Sequence, residues 1–246
     1  MPSPRIHCDI RLGPGAQFTL APEAAQHVSK ALRLKAGDNI TVFDGRGGEY
    51  EAVLQKIDRD RVDVKVGAFR DVEREAAVSV GLVQGLPEAD KMDWIVQKAV
   101  ELGVARLSPV MTRHTQAERV NVERMRANAI EAAEQCGILR LPEITAPVGL
   151  ADALAALAPE RVLVFCDEDA PIADPVAALA AAGPAAALAV LVGPEGGFAP
   201  EERELLLGRR SIVRLALGPR ILRADTAAVA ALALVQAVLG DWCDPP

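Results

Sequence analysis

No apolar run in this chain is long enough to cross a bilayer. The longest, 227–239, is interrupted by Gln236, whereas a spanning helix needs about 20 apolar residues, so no membrane partner is expected. No charged-then-apolar leader opens the chain, and no signal peptide is expected either. Histidine is scarce: three in 246 residues, with no H-x-x-x-H pair and no cluster with cysteine, which argues against a bound metal. The four cysteines, Cys8, Cys136, Cys166 and Cys243, lie far apart and form no C-x-x-C pair. They read as free thiols of a reducing cytoplasm. Excess positive charge is lacking too. The 27 Lys+Arg against 34 Asp+Glu leave a net charge of −7, unlike a strongly basic nucleic-acid binder. The imbalance is uneven, however. Residues 1–70 carry 11 basic and 9 acidic side chains, net +2, and the remainder carries 16 and 25, net −9. Contact with phosphates is therefore expected in the N-terminal part.

What is present has two rhythms. The first seventy residues are β-rich. Short strands are expected at 40–43, 49–54 and 61–66, separated by the turn signals Asp44-Gly45-Arg46-Gly47-Gly48 and Asp58-Arg59-Asp60. Val62, Val64 and Val66 alternate with Asp63 and Lys65, as in a half-buried strand. A helix is expected over 23–34. Past residue 75, apolar strands at 78–83, 107–111, 162–166, 188–192 and 212–217 alternate with helical stretches at 90–102, 122–136, 200–207 and 226–239. The alanine-rich stretches 151–159 and 177–187 read as small-residue helices. Strands alternating with helices predict an α/β fold with a parallel sheet. The boundary between the two rhythms is placed at 72/73, inside the charged stretch Arg70-Asp71-Val72-Glu73-Arg74-Glu75.

Two loops stand out in the last quarter. Leu-Val-Gly-Pro-Glu-Gly-Gly-Phe spans 191–198, and Leu-Gly-Pro-Arg-Ile-Leu-Arg-Ala-Asp-Thr-Ala spans 217–227. Each follows an apolar run and precedes a helical one. In an open α/β sheet, ligands bind at the carboxyl ends of the strands, where such turns sit. The first loop is neither the dinucleotide G-x-G-x-x-G nor a P-loop. Its glycines let a ligand approach the main chain, although these residues also fit a tight turn with no ligand. The second loop sets Arg220 and Arg223 just before an apolar helix, with Asp225 or Thr226 as its N-cap. Cations there oppose the helix dipole, which points to an anion or an electron-rich ring as their partner. Solvated surface arginines are the plain alternative.

Taken in this order and spacing, the two loops closely resemble those of the RsmE-type 16S rRNA (uridine-N3) methyltransferases of the SPOUT class. The resemblance extends along nearly the whole chain. It includes Pro4-Arg5-Ile6, His27, Ala31-Leu32-Arg33-Leu34-Lys35-Ala36-Gly37-Asp38 and Val42-Phe43-Asp44-Gly45. It continues through Met92-Asp93-Trp94, 97–104, Pro109-Val110 and 131–137. The family implies a C-terminal SPOUT domain, a knotted parallel sheet with helices on both faces, over 73–246, and a PUA-like RNA-binding β-barrel over 1–72. It implies S-adenosyl-L-methionine as methyl donor, 16S rRNA of the small ribosomal subunit as substrate, a homodimer and a cytoplasmic location. The donor would be held around Leu191, Val192, Gly193, Pro194, Glu195, Gly196 and Gly197, and around Leu215, Leu217, Gly218, Ile221, Leu222 and Thr226. A nucleotide-binding or RNA-binding assembly protein with the same loops and no methyl transfer is the alternative.

The resemblance also frames the chemistry. Uridine N3 carries a weakly acidic proton, so the site must remove it or stabilise the resulting anion. Arg223, with Arg220, is expected to stabilise charge spread over the uracil carbonyls, and Glu195 or Asp225 to orient donor, arginine or base. RNA contacts are expected from Arg5, Arg11, Lys30, Arg33 and Lys35, since base-modifying enzymes need phosphate anchors. The chain departs from the family pattern in four places. Ala224-Asp225 replaces Thr-Glu, Ile138 stands where an arginine often follows Gln-Cys-Gly, Arg113-His114-Thr115 replaces Glu-Arg-Ser, and Glu88 replaces a lysine.

Overall fold

The computed structural model describes residues 3–58, 61–73, 76, 78–87, 89–115, 120–172 and 174–243. Of the residues named above, Arg59, Asp60, Arg74, Glu75 and Glu88 lie outside the described residues. The chain folds as two compact units. One comprises residues 1–75 with 130–141, the other 76–129 with 142–246.

The first unit is built on β1 (Arg5–His7), β2 (Gln17–Thr19), β3 (Asn39–Phe43), β4 (Gly48–Asp58) and β5 (Arg61–Val72), in the order β1-β3-β4-β5-β2. β1 runs parallel to β3, and the other pairings are antiparallel. Val64 lies opposite Leu54, and Val66 opposite Ala52. Their shared face closes the core with Ile6, Val28, Ile40 and Val42. β5 runs six residues beyond the expected strand. Its extension is exposed on both faces, so alternation could not reveal it. Backbone pairing to Gly48 and Glu49 and an edge contact between Tyr50 and Phe69 hold it instead. The expected helix over 23–34 is broken into α1 (Pro22–Gln26) and a π-turn at His27–Ala31. The Ser29 hydroxyl donates to Ala25 O at 2.7 Å, a back-bond that perturbs a helix. The turn closes with Leu32 N–H donating to His27 O, and Arg33 follows at φ +55°.

The second unit contains β6 (Ser79–Gly85), α2 (Ala89–Glu101), β7 (Arg106–Met111), α3 (Val122–Cys136), β8 (Glu143–Ile144), β9 (Val148–Gly149), α4 (Leu150–Ala156), β10 (Val162–Cys166), α5 (Pro175–Ala182), β11 (Ala187–Val192), α6 (Pro200–Leu207), β12 (Ile212–Leu215) and α7 (Ala224–Val238). Residues 130–136 of α3 belong to the first unit. The sheet order is β12-β10-β11-β6-β7-β8, with β9 also on β7, and every pairing is parallel. Alternate residues of its central strands face opposite ways. Val83, Val110, Leu163, Phe165, Ala189 and Leu191 pack with Leu150, Leu154 and Leu206 of α4 and α6. The other face is covered by α7, which also packs on α2 and α5. Burial on both sides explains why these strands read as unbroken apolar runs. The helix expected to run to 187 ends at Ala182, because Gly183 adopts φ +71° and stops it.

Among the described residues no helix is long and apolar enough to cross a membrane, and no cluster of three metal-ligating side chains occurs. The free thiols differ sharply. Burial, and then the charges of Glu134 and Asp44, push Cys8 up to about 12, and burial with the Asp167 charge pushes Cys166 up to about 12. Cys136 is exposed. The thiolate is the reactive form, so alkylation of the folded protein at pH 8 is expected to mark Cys136 at least about tenfold faster than Cys8 or Cys166. Peptide mapping over time checks this, and equal rates at all three sites would contradict it.

Candidate functional site

Both loops leave the carboxyl edge of the parallel sheet. β11 ends at Val192 and α6 starts at Pro200; β12 ends at Leu215 and α7 starts at Ala224. Because β10 lies between β11 and β12, the loops rise from strands about 10 Å apart, twice the usual strand spacing. They therefore stand on either side of the end of β10.

The first loop is tightly determined. Gly197 N–H donates to Pro194 O at 2.9 Å, closing a turn centred on Glu195 and Gly196, and Gly197 itself sits at φ +64° as the chain leaves it. Pro194 packs so closely on β6 that a Cβ on Gly85 would lie 2.6 Å from its ring. The Phe198 ring folds back over Gly193 and meets Phe165 of β10 edge-on at 5.4 Å. Glu202, at the start of α6, accepts from Ala199 N–H at 2.9 Å and from Arg113 N–H at 2.8 Å. Glu195 pairs with Lys91 of α2 at 2.8 Å, and His114 Nδ1 lies 2.8 Å from Gly196 O.

The second loop is open. Gly218 sits at φ +89°, and Arg220, Ile221 and Arg223 are exposed, Ile221 to 89%. Arg223 is the N-cap residue of α7 and makes no side-chain cap, so the expected Asp225 or Thr226 cap is not the one found. The helix begins at Ala224, two residues earlier than expected, and Asp225 lies inside its first turn. There its carboxylate suits the helix dipole, accepts from Thr226 N–H at 2.9 Å and stands 3.8 Å from Arg223.

Beneath both loops lies a charged network that sequence reasoning missed. Asp167, just past β10, has a fully buried carboxylate. It accepts from Arg214 Nε of β12 at 2.6 Å and pairs with Arg203 of α6 at 2.7 Å. Burial alone would push this carboxyl up, but hydrogen bonds from Arg214, Arg203 and the Asp169 N–H outweigh it and hold Asp167 below the usual carboxylate range. The Arg203 guanidinium also lies 5.8 Å from the Phe165 ring. The available signal was an acidic residue directly after a buried apolar strand.

The expected site residues divide accordingly. Leu191, Val192, Pro194 and Leu215 are buried, whereas Glu195, Gly196, Gly218, Ile221 and Thr226 are exposed. Glu195 is engaged by Lys91, whereas among the described residues Arg223 has only the loose Asp225 pairing. In the first unit, Arg5 is tied to Glu49 at 2.9 Å, a carboxylate that Arg70 also approaches at 3.6 Å. Arg11, Lys30, Arg33 and Lys35 are exposed.

Comparison with known proteins places these features in context. Residues 74–236 match the family described as RNA methyltransferase domain, and residues 20–67 match the one described as RNA methyltransferase PUA domain. Ribosomal RNA small subunit methyltransferase E of Rickettsia conorii is 30% identical over 98% of this chain and 97% of its own. A methyltransferase of Legionella pneumophila, solved with bound SAM, superposes with a TM-score of 0.87 at 31% identity, over 98% of this chain and 100% of its own. Ribosomal RNA small subunit methyltransferase E of Neisseria gonorrhoeae, bound to S-adenosyl methionine, gives 0.85 at 28% identity, over 98% and 99%.

Proposed function

We propose, on the premise that this chain belongs to the ribosomal RNA small subunit methyltransferase E family, that it transfers a methyl group from S-adenosylmethionine to a uridine N3 of 16S rRNA. The observation that carries this reading is full-length similarity to a relative solved with that donor, combined with two glycine loops on one sheet edge. The loops fit a donor held through the main chain. At Gly197 and Gly218, both at positive φ, an added Cβ would meet nothing within 4 Å, so a ligand has free access to the backbone there.

The donor supplies a methyl group on a sulfonium, which leaves as the neutral thioether. The chain's part is orientation and management of charge. Backbone groups of 191–197 and 215–222, with Thr226, hold the donor. N3 releases its proton to solvent and then takes the methyl, and Arg223 with Arg220 stabilises the negative charge that the uracil carbonyls carry before transfer. Glu195 braces the first loop through Lys91. The exposed cations Arg11, Lys30, Arg33 and Lys35 anchor RNA phosphates, with Arg5 shaping that surface through Glu49. Residues 1–72 then act as the PUA-like RNA-binding domain and 73–246 as a SPOUT domain with a C-terminal knot. The exposed Ile221 suits burial in a homodimer, and a cytoplasmic enzyme is consistent with the substrate.

The test is incubation with S-adenosylmethionine and small ribosomal subunits from cells lacking this methylation, followed by mass spectrometry of the rRNA nucleosides. N3-methyluridine is the expected product. Its absence, with the donor bound and intact, overturns the proposal.

A further inference from the structure

The Gly196–Gly197 peptide joins the two adjacent glycines of the first loop. Neither residue has a side chain to resist a peptide flip, and both have wide conformational freedom. Something must select the orientation seen. Gly197 N–H is satisfied by Pro194 O. The carbonyl of the same peptide, Gly196 O, is met by His114 Nδ1 at 2.8 Å. A carbonyl oxygen only accepts, so Nδ1 carries the proton.

His114 is itself held in place. It lies in a turn after β7, where Thr112 N–H donates to Thr115 Oγ1 at 2.8 Å, and the adjacent Arg113 N–H is fixed by Glu202. The approach is close enough that a Cβ on Gly196 would stand 2.8 Å from His114 Cβ. This is also where the chain departs from the family pattern at Arg113-His114-Thr115.

We propose that His114 is a positioning residue for the methyl donor. By donating Nδ1–H to Gly196 O it locks the Gly196–Gly197 peptide and so fixes the backbone surface the donor meets. The inference rests on the proposed function in taking 193–197 as a donor-binding turn.

Calorimetric titration with S-adenosylmethionine, a thermal melt of each variant and steady-state kinetics with small ribosomal subunits test it together. His114→Ala is expected to raise donor Kd and donor KM about fivefold to tenfold, the worth of one hydrogen bond. Its kcat at saturating donor should stay within about threefold, since no reacting atom is touched. His114→Asn carries an amide N–H near the Nδ1 position and is expected to restore Kd to within about twofold. His114→Gln sets its amide one methylene farther out and is expected to bind no better than the alanine variant. Wild-type affinity in His114→Ala, or equal rescue by Asn and Gln, overturns the positioning role. If wild-type protein itself takes up no donor, the proposed function falls and this inference falls with it.

Discussion

Arg223→Ala is expected to lower the methylation rate at saturating donor by at least about a hundredfold, while donor affinity stays within about threefold. The side chain is 72% exposed, and its nearest carboxylate, Asp225, is 3.8 Å away. An exposed side chain with so loose a pairing adds little to stability, so the melting temperature should move little. The guanidinium stands at the N-terminus of α7, where the helix dipole disfavours a cation. A cation kept in an unfavourable field and paired only loosely among the described residues is available to an anion arriving from outside. Removing one preorganised donor to developing negative charge typically costs a factor of about 10² to 10³. Arg223→Lys should recover little, because an ammonium cannot spread its charge over two carbonyl oxygens as a planar fork does. Activity within a few fold of wild type in Arg223→Ala would remove it from the chemistry.

The contrast between the two loops shows what can be read from a sequence. Glycine and proline placed after apolar runs marked both loops because those residues act locally: they fix φ or permit left-handed backbone. Gly197 and Gly218 do adopt positive φ. The central strands were legible for a related reason, as burial on both faces leaves an apolar run with no periodicity to misread. β12 and β5 were less so. β12 ends at Leu215 rather than 217, because the apolar residues beyond it belong to the loop. The outer half of β5 is held by pairing alone. What was not legible is long-range and polar. Lys91 meets Glu195 across 104 positions, and His114 meets Gly196 across 82. No spacing rule links them, since only the parallel order β11-β6-β7 brings their loops together. Glu195 shows the consequence. Its place in a conspicuous motif suggests chemistry, while the structure pairs it with Lys91 at 2.8 Å.

Asp167→Ala is expected to destabilise the second unit by roughly 3 kcal/mol, the lower end of what breaking a buried ion pair costs. The lower end applies because Arg203 and Arg214 retain 28% and 27% side-chain exposure and can hydrate once their partner is gone. The loss should reach function as well as stability. Asp167 connects β12 to α6 across the end of β10, and the two glycine loops rise from either side of that junction. Arg203 in turn lies near Phe165, against which Phe198 packs, and the Phe198 ring lies over Gly193. Donor affinity should therefore fall in a variant that still folds. Asp167→Asn keeps one acceptor oxygen and loses the charge, so an intermediate loss is expected. Acid separates the two contributions. The folded-state pKa of Asp167 is depressed, so the stability it adds is present above the unfolded value of about 3.9 and is lost as pH falls through the folded value. The stability gap between wild type and Asp167→Asn should accordingly be widest at neutral pH and narrow below about pH 4. Urea unfolding across that range measures it. A gap that stays constant with pH would mean that the carboxylate's charge contributes nothing, and that the two arginines are held by geometry alone.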